Sequence, residues 1–248
     1  MTSDTSIQQY IDRQPSLGWR RFLVRGLIHT LGFRILWNVA VHGMENVPAS
    51  GPTILMMNHI SAIDPVLSMG AVRHRYVIPM TKVENARHPI FGSFVWMYGA
   101  YTVNRDEVDR SALMNSIELL KSGQLILIAP EGTRNPHGLQ QPKDGLTYIA
   151  TKADAVIVPT AVSGAVGWMD RLKRLDRGEM RVDFGRPFRF NTAGRSRIPR
   201  DELALMTQEA MYQLALALPD ASQRGEYRDI ERATTQTLTF IDPIKQDL

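Results

Sequence analysis

The sequence predicts an α/β fold: a single layered domain with a largely parallel central sheet flanked by helices, plus an N-terminal amphipathic helical region. Short apolar segments typical of buried strands recur at residues 53–57, 76–80, 101–103, 125–129, 156–160 and 180–184. Segments with helical periodicity lie between most of them, at residues 64–73, 107–121, 145–153 and 200–218. Because strands and helices alternate along the chain, most of the strands are expected to run parallel.

The length and composition fit one domain with short additions at its ends. The chain has 248 residues, of which 44% are hydrophobic and 22% are charged, as in ordinary globular proteins. No internal repeat or low-complexity stretch divides the sequence. We expect an N-terminal helical region over residues 1–42, the main domain over residues 43–220 and a C-terminal tail over residues 221–248.

The charge balance and the absence of cysteine limit the kinds of partner and site that the chain can have. A net charge of +4 and a pI near 9.5 favour anionic partners such as lipid headgroups, phosphorylated metabolites or nucleic acid, without selecting among them. The chain has no cysteine, which excludes disulfides, thiolate metal sites and cysteine nucleophiles. Metal ligands do not cluster in the sequence, and we expect no metal. The sequence has no signal-peptide pattern, which favours a cytoplasmic location.

Residues 19–41 have the pattern of an amphipathic helix. Polar residues interrupt the apolar run, so a helix that spans the bilayer is not expected. On a helical projection one narrow stripe contains Arg21, Arg25, His29 and Gly32, and large apolar residues cover much of the remainder. This pattern fits a helix lying in a membrane interface with its arginines, Arg20, Arg21, Arg25 and Arg34, at the headgroups. It fits equally well a helix packed on its own domain with one hydrated edge.

His59 and Asp64 form the first candidate site. They belong to the sequence Asn-His-Ile-Ser-Ala-Ile-Asp at residues 58–64, where an apolar strand ends and a helix begins. Such junctions lie at the carboxyl edge of the sheet, where α/β folds place their sites. A neutral imidazole there can take a proton from an alcohol, and an aspartate on its other nitrogen fixes the tautomer. Taken alone, the pair is more often a half-buried histidine beside a helix cap.

A second candidate site follows another apolar strand, at residues 130–134, Pro-Glu-Gly-Thr-Arg. It is expected at the same edge of the sheet as His59. The glycine permits a close backbone approach, the threonine offers a hydroxyl and an amide, and the arginine offers a bidentate fork for phosphate. The alternative is a plain turn with a solvated arginine, but four specified residues in a row at a strand end rarely arise by accident.

Together, the N-H-x-S-x-x-D and P-E-G-T-R sequences resemble the PlsC-type glycerophospholipid acyltransferase family, which includes lysophosphatidic acid acyltransferases. Other family blocks occur in the same order over residues 41–165, at Gly43, Glu45, Asn46 and Pro48, at Lys82, Glu84, Pro89 and Gly92, at residues 103–105 and at residues 156–159. The resemblance implies a general base and its partner, His59 and Asp64. It implies that the acceptor's glycerol-phosphate binds to Glu131, Gly132, Thr133 and Arg134. It also implies help at the phosphate from Arg105 and, less specifically, from Lys82.

The implied enzyme transfers a fatty acyl group from acyl-CoA or acyl carrier protein to a lysophospholipid such as 1-acylglycerol 3-phosphate. It would need no cofactor beyond the donor and no nucleic acid, and it would act peripherally at the cytoplasmic face of a phospholipid membrane. Two other functions stay open. An acyl-thioester hydrolase would leave residues 130–134 without an obvious role, and a non-catalytic phospholipid-binding module would need neither His59 nor Asp64.

Overall fold

A mixed β-sheet forms the centre of the computed structural model, which describes residues 4–82, 92, 97–103, 110–143 and 145–242. Within these ranges the strands are β1 (Asn38–His42), β2 (Thr53–Met57), β3 (Val77–Lys82), β4 (Tyr101–Val103), β5 (Leu125–Ile128), β6 (Val156–Ser163), β7 (Glu179–Phe184), β8 (Phe188–Phe190) and β9 (Leu238–Phe240). Their order across the sheet is β1-β7-β6-β2-β5-β3-β4, and β8 pairs with both β6 and β9.

Helices cover both faces of this sheet. The described helices are α1 (Asp4–Asp12), α2 (Gly18–Leu27), α3 (Asp64–Ala71), α4 (Arg110–Lys121), α5 (Gly145–Ala153), α6 (Trp168–Lys173) and α7 (Arg200–Ala217), together with a π-helical segment (Ile28–Leu36) that continues α2. The core forms two layers. Ile54 and Met56 belong to the layer under α4, α5 and α7, whereas Leu55 and Met57 belong to the layer under the π-helical segment and α3.

The predicted α/β architecture is confirmed. β2 pairs in parallel with β5 and β6, and β3 pairs in parallel with β4 and β5. All residues of β2, β5 and β6 are buried, which explains why these strands read as continuous apolar runs rather than as an alternation. β7 and β8 run antiparallel to β6, whereas β1 at the far edge is parallel to β7, so the strand direction reverses between β6 and β7.

The sheet extends further than the sequence predicts. Residues 38–42, which were expected in the N-terminal helical region, form the edge strand β1 beside β7, and that region's helical part ends at Leu36. β1 alternates between exposed and half-buried positions, so its apolar residues also satisfy a helical pattern. β8 and β9 are three-residue strands, too short to give a periodic signal.

The N-terminal helices lie on the domain in an orientation that neither expectation describes. Their polar stripe faces inward: Arg21 is 2% exposed and donates to the carbonyl oxygen of Tyr98 at 2.9 Å, and Arg25 donates to that of Arg73 at 2.6 Å. The expectation that Arg21 reaches lipid headgroups is therefore wrong. The outward face is apolar and consists of Trp19, Phe22, Leu23, Leu27, Leu31 and Ile35, each 41–63% exposed. We call these six residues the outer apolar face. No helix within the described ranges combines the length and apolarity needed to cross a membrane.

The C-terminal segment, residues 218–242, packs along the domain as short turns and β9. The buried carboxylate of Glu209 on α7 anchors it, accepting hydrogen bonds from Thr234 Oγ1 at 2.6 Å, the Gln236 amide at 2.7 Å and both the amide and hydroxyl of Thr237 at 2.9 and 2.5 Å. Upstream of this anchor, the segment holds the loop after β5, because Leu139 donates to Gln223 O at 3.1 Å and accepts from Glu226 N at 3.0 Å. The C-terminal segment therefore fixes the loop after β5 at Leu139.

Candidate active site

The two candidate sequences meet at the carboxyl edge of neighbouring parallel strands. β2 and β5 pair with Met56 opposite Ile128, so residues 58–64 and 130–134 leave the sheet side by side. Carboxyl edges of parallel strands are where α/β folds place their sites. The structure thus brings together residues that are far apart in the sequence, such as His59 and Glu131, which are 72 positions apart.

His59 and Asp64 form a hydrogen-bonded pair. Asp64 Oδ2 lies 2.9 Å from His59 Nδ1, and the aspartate side chain is fully buried whereas the histidine side chain is 17% exposed. Because a carboxylate accepts at Nδ1, that nitrogen carries the proton and Nε2 keeps its lone pair. In the described part of the chain, no hydrogen bond engages Nε2. The imidazole can therefore accept a proton from a substrate hydroxyl.

The carboxylate of Asp64 also accepts hydrogen bonds from the loop that precedes its helix. Oδ2 also accepts from the Ile60 amide at 2.7 Å and the Ser61 amide at 2.6 Å. Asp64 is the first residue of α3, and the helix has no side-chain cap hydrogen bond, because this carboxylate binds the preceding loop instead. Burial raises the pKa of Asp64, and the hydrogen bonds from His59 and from the two amides oppose that rise. Oδ1 is buried without a hydrogen-bond partner among the described residues.

The backbone of His59 is held on both sides by the loop after β5. The His59 amide donates to Glu131 Oε1 at 3.3 Å, and the His59 carbonyl accepts from the Asn135 amide at 2.7 Å. Since the imidazole is fixed separately by Asp64, the whole residue is positioned before any substrate arrives. Preorganised catalytic groups of this kind need little rearrangement during the reaction.

Glu131 is turned inward, which differs from the acceptor contact that the resemblance implies. The residue is 3% exposed, and its second oxygen accepts from the Gln140 amide at 3.1 Å. Burial raises the pKa of Glu131 to about 7; the negative charge of Asp64 adds to the rise, while the amides of Gln140 and His59 lower it. In this arrangement Glu131 bridges the backbone of His59 and the backbone of Gln140 rather than facing solvent.

The remaining residues of the motif form an exposed turn. Gly132 has φ +70°, a left-handed conformation that glycine adopts without strain, and its missing Cβ leaves room for the end of the Lys143 side chain. Thr133 and Arg134 are exposed, and Lys143 is exposed where it lies over the same turn. Its amide is fixed to the Pro130 carbonyl at 2.8 Å. Two cationic side chains therefore border one turn beside His59, which favours an anionic ligand.

Lys82 and Arg105 follow the neighbouring strands of the same edge. Lys82 is the last residue of β3, and its partner across the sheet is Val103, the last residue of β4. β3 is parallel to β5, so Lys82 lies at the same carboxyl edge as the turn of residues 131–134. Arg105 lies outside the described residues.

A model of the family described as Acyltransferase matches residues 38–163 of the 248, from the first residue of β1 to the last residue of β6. This chain belongs to the acyltransferase family. The resemblance read from the two motifs is therefore confirmed. Both motifs and all the strands from β1 to β6 lie wholly inside the matched range.

Several relatives of this acyltransferase share the name 1-acyl-sn-glycerol-3-phosphate acyltransferase. The Bacillus subtilis protein is 30% identical over 172 residues, which are 68% of this chain and 83% of the relative. The Streptococcus pneumoniae protein is also 30% identical, over 66% of this chain and 61% of the relative. The human alpha form is 31% identical over half of this chain and 45% of the relative. The fold agrees with the crystal structure of the 1-acyl-sn-glycerophosphate (LPA) acyltransferase PlsC from Thermotoga maritima, with a TM-score of 0.57 at 23% identity over 79% of each chain.

The acyltransferase site includes residues that the sequence analysis did not assign. The side chain of Asn58 is buried and joins β2 to β6, donating to Val162 O at 2.9 Å and accepting from Val162 N at 2.7 Å. It fixes the end of the strand that carries His59. Gln140 and Lys143 contribute through their backbone amides, and amide contacts leave no signal in the identity of a residue. Asn58 was visible in the sequence as the first residue of the N-H-x-S-x-x-D motif.

Proposed function

We propose that this acyltransferase moves a fatty acyl group from an acyl thioester, acyl-CoA or acyl carrier protein, to the hydroxyl of 1-acylglycerol 3-phosphate or a related lysophospholipid. The product would be phosphatidic acid. One observation carries the proposal: the His59–Asp64 pair is tied through Asn135 to the exposed turn that presents Arg134. A base suited to activating an alcohol thus lies beside a cation suited to phosphate. The names of the relatives point to the same acceptor.

The proposed chemistry is a direct transfer. His59 Nε2 takes the proton of the acceptor hydroxyl as the oxygen attacks the thioester carbonyl carbon. The new ester C–O bond forms, the C–S bond breaks, and the leaving thiolate receives the proton from the imidazolium. Asp64 stabilises that imidazolium through Nδ1. The chain has no cysteine, which supports a route without an enzyme thioester.

Thioester hydrolysis is the competing reaction, because the same base can activate water. The exposed Thr133-Arg134 turn and Lys143 favour transfer, since water needs no cationic site. A silent phospholipid-binding module would not need a histidine held by Glu131 and Asn135 at its backbone and by Asp64 at its ring.

The deciding experiment supplies one long-chain acyl-CoA with a panel of acceptors and identifies products by mass spectrometry. Phosphatidic acid from 1-acylglycerol 3-phosphate supports the proposal. Free fatty acid at the same rate with and without acceptor supports the hydrolase. Repeating the screen with acyl carrier protein as donor tests the second thioester. Released thiol can be followed with a thiol reagent, because the protein contributes no cysteine background.

Arg134→Ala should raise the KM for the phosphorylated acceptor by roughly ten- to a hundredfold, because it removes charge-assisted hydrogen bonds to phosphate. Arg105→Ala should have a smaller effect in the same direction. The KM for acyl-CoA should stay nearly unchanged. Arg228→Ala is the control, since this exposed arginine lies on the C-terminal segment. A change confined to donor kinetics would refute the phosphate assignment of Arg134.

We also propose that the acyltransferase binds the cytoplasmic face of a membrane peripherally, through the outer apolar face. This surface exposes six large apolar side chains, from Trp19 to Ile35, on one side of α2 and the π-helical segment. Contiguous exposed apolar patches mark contact sites, and a diacylated product enters the bilayer in any case. Arg34 is exposed and can reach headgroups, unlike the buried Arg21.

The double variant Phe22→Gln with Leu27→Gln should weaken partitioning into anionic vesicles by about 10²-fold, from the lost burial of two large apolar side chains. Turnover of detergent-dispersed acceptor should persist. Both side chains are exposed, whereas a deletion up to Val41 would remove buried Val24 and Ile28 and cut β1. Met114→Gln, at a half-exposed position on α4, is the control. Co-sedimentation measures the partitioning, and equal binding of the double variant and wild type would place the membrane contact elsewhere.

A further inference from the structure

Leu175 combines a left-handed backbone conformation with an almost fully exposed apolar side chain. It adopts the left-handed conformation, with φ +57°, and its side chain is 90% exposed. Glycine or asparagine adopts this conformation more easily than leucine, which has a Cβ and no polar atom to stabilise it. A leucine here therefore strains the backbone and buries almost nothing. The left-handed conformation itself ends α6, because the Leu175 amide donates to Leu172 O at 3.0 Å and the Asp176 amide donates to Arg171 O at 2.9 Å. The helix end does not need an exposed leucine at this position, and that choice of residue points to a contact outside the molecule.

The connection from β6 to β7, residues 164–178, presents Leu175 at a rigid tip. Arg171 holds the connection from inside: it donates through Nη1 to Val166 O at 2.9 Å and through Nη2 to Gly164 O, and its carbonyl accepts from the Asp176 amide at 2.9 Å. Other apolar side chains on the connection are also exposed, Val166 by 46% and Met169 by 49%.

Positive charge accompanies this apolar tip. Lys173 and Arg174 directly precede Leu175, and both are exposed. The ammonium of Lys173 lies 3.2 Å from Asp170 Oδ1, and both of these side chains are 71% exposed. Two cations thus precede the apolar tip, and exposed Asp176 follows it. An apolar tip beside two cations matches the surface of an anionic bilayer, where headgroups carry negative charge above an apolar interior.

The connection is continuous with the N-terminal helices. The rings of Trp168 on α6 and Trp37 at the end of the π-helical segment meet edge to face, with centroids 5.8 Å apart. Arg177 Nη2 donates to the carbonyl oxygens of Arg34 and Trp37, the latter at 3.1 Å. These contacts fix residues 164–178 against the end of the outer apolar face that carries Ile35.

We propose that residues 166–175 form a second membrane-contact element, in which Leu175 inserts among anionic headgroups while Lys173 and Arg174 bind them. This proposal rests on the peripheral membrane binding proposed above and adds a second point of contact. Two fixed points define how the domain is oriented on the bilayer, whereas a single helix leaves rotation about its axis free.

The test measures co-sedimentation of the full chain with phosphatidylcholine vesicles that contain phosphatidylglycerol. Leu175→Asn should weaken binding by about five- to tenfold, from the lost insertion of one leucine. Arg174→Gln should weaken it by about fivefold at low salt, and less with pure phosphatidylcholine. The matched control is Leu216→Asn, which removes another exposed leucine, on α7. Because asparagine relieves the strain at position 175, Leu175→Asn should melt no lower than wild type without vesicles.

The outcomes separate this inference from the function on which it rests. Unchanged vesicle binding by Leu175→Asn, with Phe22→Gln and Leu27→Gln still weakening it, would overturn the second contact and leave the outer apolar face in place. No binding by wild type would overturn both. If sedimentation velocity instead showed a wild-type dimer that Leu175→Asn dissociates, with vesicle binding unchanged, the tip would bind a second copy and the lipid proposal would be wrong. Turnover of detergent-dispersed acceptor should be equal in all these variants.

Discussion

Replacing His59 with alanine should lower kcat by about 10²-fold or more, the scale of lost general-base catalysis. The imidazole is the group whose Nε2 is left available once Asp64 has bound Nδ1. The expected loss is in kcat rather than in KM, because the proton is transferred only as the acceptor attacks. Initial rates with saturating donor and acceptor measure it. His137→Ala is the matched control, since it removes an exposed histidine from the loop after β5.

Asp64→Asn should also lower kcat, because an amide can present its N–H to Nδ1 and so favour the wrong tautomer. This variant is expected to be less stable as well, since the carboxylate that accepts from the Ile60 and Ser61 amides is lost. Melting temperatures and circular dichroism therefore accompany the kinetics. Turnover within a few-fold of wild type in His59→Ala would remove His59 from the catalytic role.

Glu131 should make the protein lose stability as pH rises from about 4.5 to about 7, the ordinary and the folded pKa of this carboxyl group. In that interval the folded state keeps a proton that the unfolded state has released, so the free energy of unfolding falls with increasing pH. The contribution is present in full below the unfolded pKa and is lost as pH passes through the folded pKa. Its size is on the order of 3 kcal/mol, since each unit of pKa shift corresponds to about 1.4 kcal/mol.

Thermal unfolding in a pH series measures this effect. Glu131→Gln cannot titrate, so its melting temperature should fall less steeply over the same interval, although the amide fits the two N–H donors less well and lowers stability overall. Glu118→Gln, at an exposed position on α4, should keep the wild-type slope. Identical slopes for wild type and Glu131→Gln would show that the carboxyl group is ionised in the folded protein.

The central sheet could be predicted because buried parallel strands must be apolar on both faces. β2 and β5 therefore stand out in the sequence, and the residues that follow them must meet at one edge. This logic placed His59, Asp64 and the turn with Arg134 together. It could not predict that the Glu131 side chain points inward, because the sequence is the same whether a glutamate in a turn faces solvent or binds two amides.

The orientation of the N-terminal helices could not be predicted from the spacing of their polar and apolar residues, for a related reason. A projection separates a polar stripe from an apolar face but does not say which one meets the domain. Here Gly70 on α3 lets the π-helical segment approach closely, since a Cβ there would lie 2.6 Å from Ile28 Cγ2, and Arg21 finds backbone carbonyls at Tyr98 and Gly99. Such inward partners are far away in sequence.

The packing of the C-terminal segment was likewise not predicted, because Glu209 holds it mainly through amides and hydroxyls.

The contact between the C-terminal segment and the loop after β5 sets an order of events during synthesis. The backbone of Leu139 is completed by Gln223 and Glu226, which the ribosome adds much later. The loop that carries Arg134 therefore lacks these two backbone hydrogen bonds until residues 223–226 have emerged. The outer apolar face, in contrast, precedes that loop in the chain, and chains fold from the N-terminal side as they are made. A nascent molecule is thus expected to be able to adsorb to lipid before it can turn over substrate.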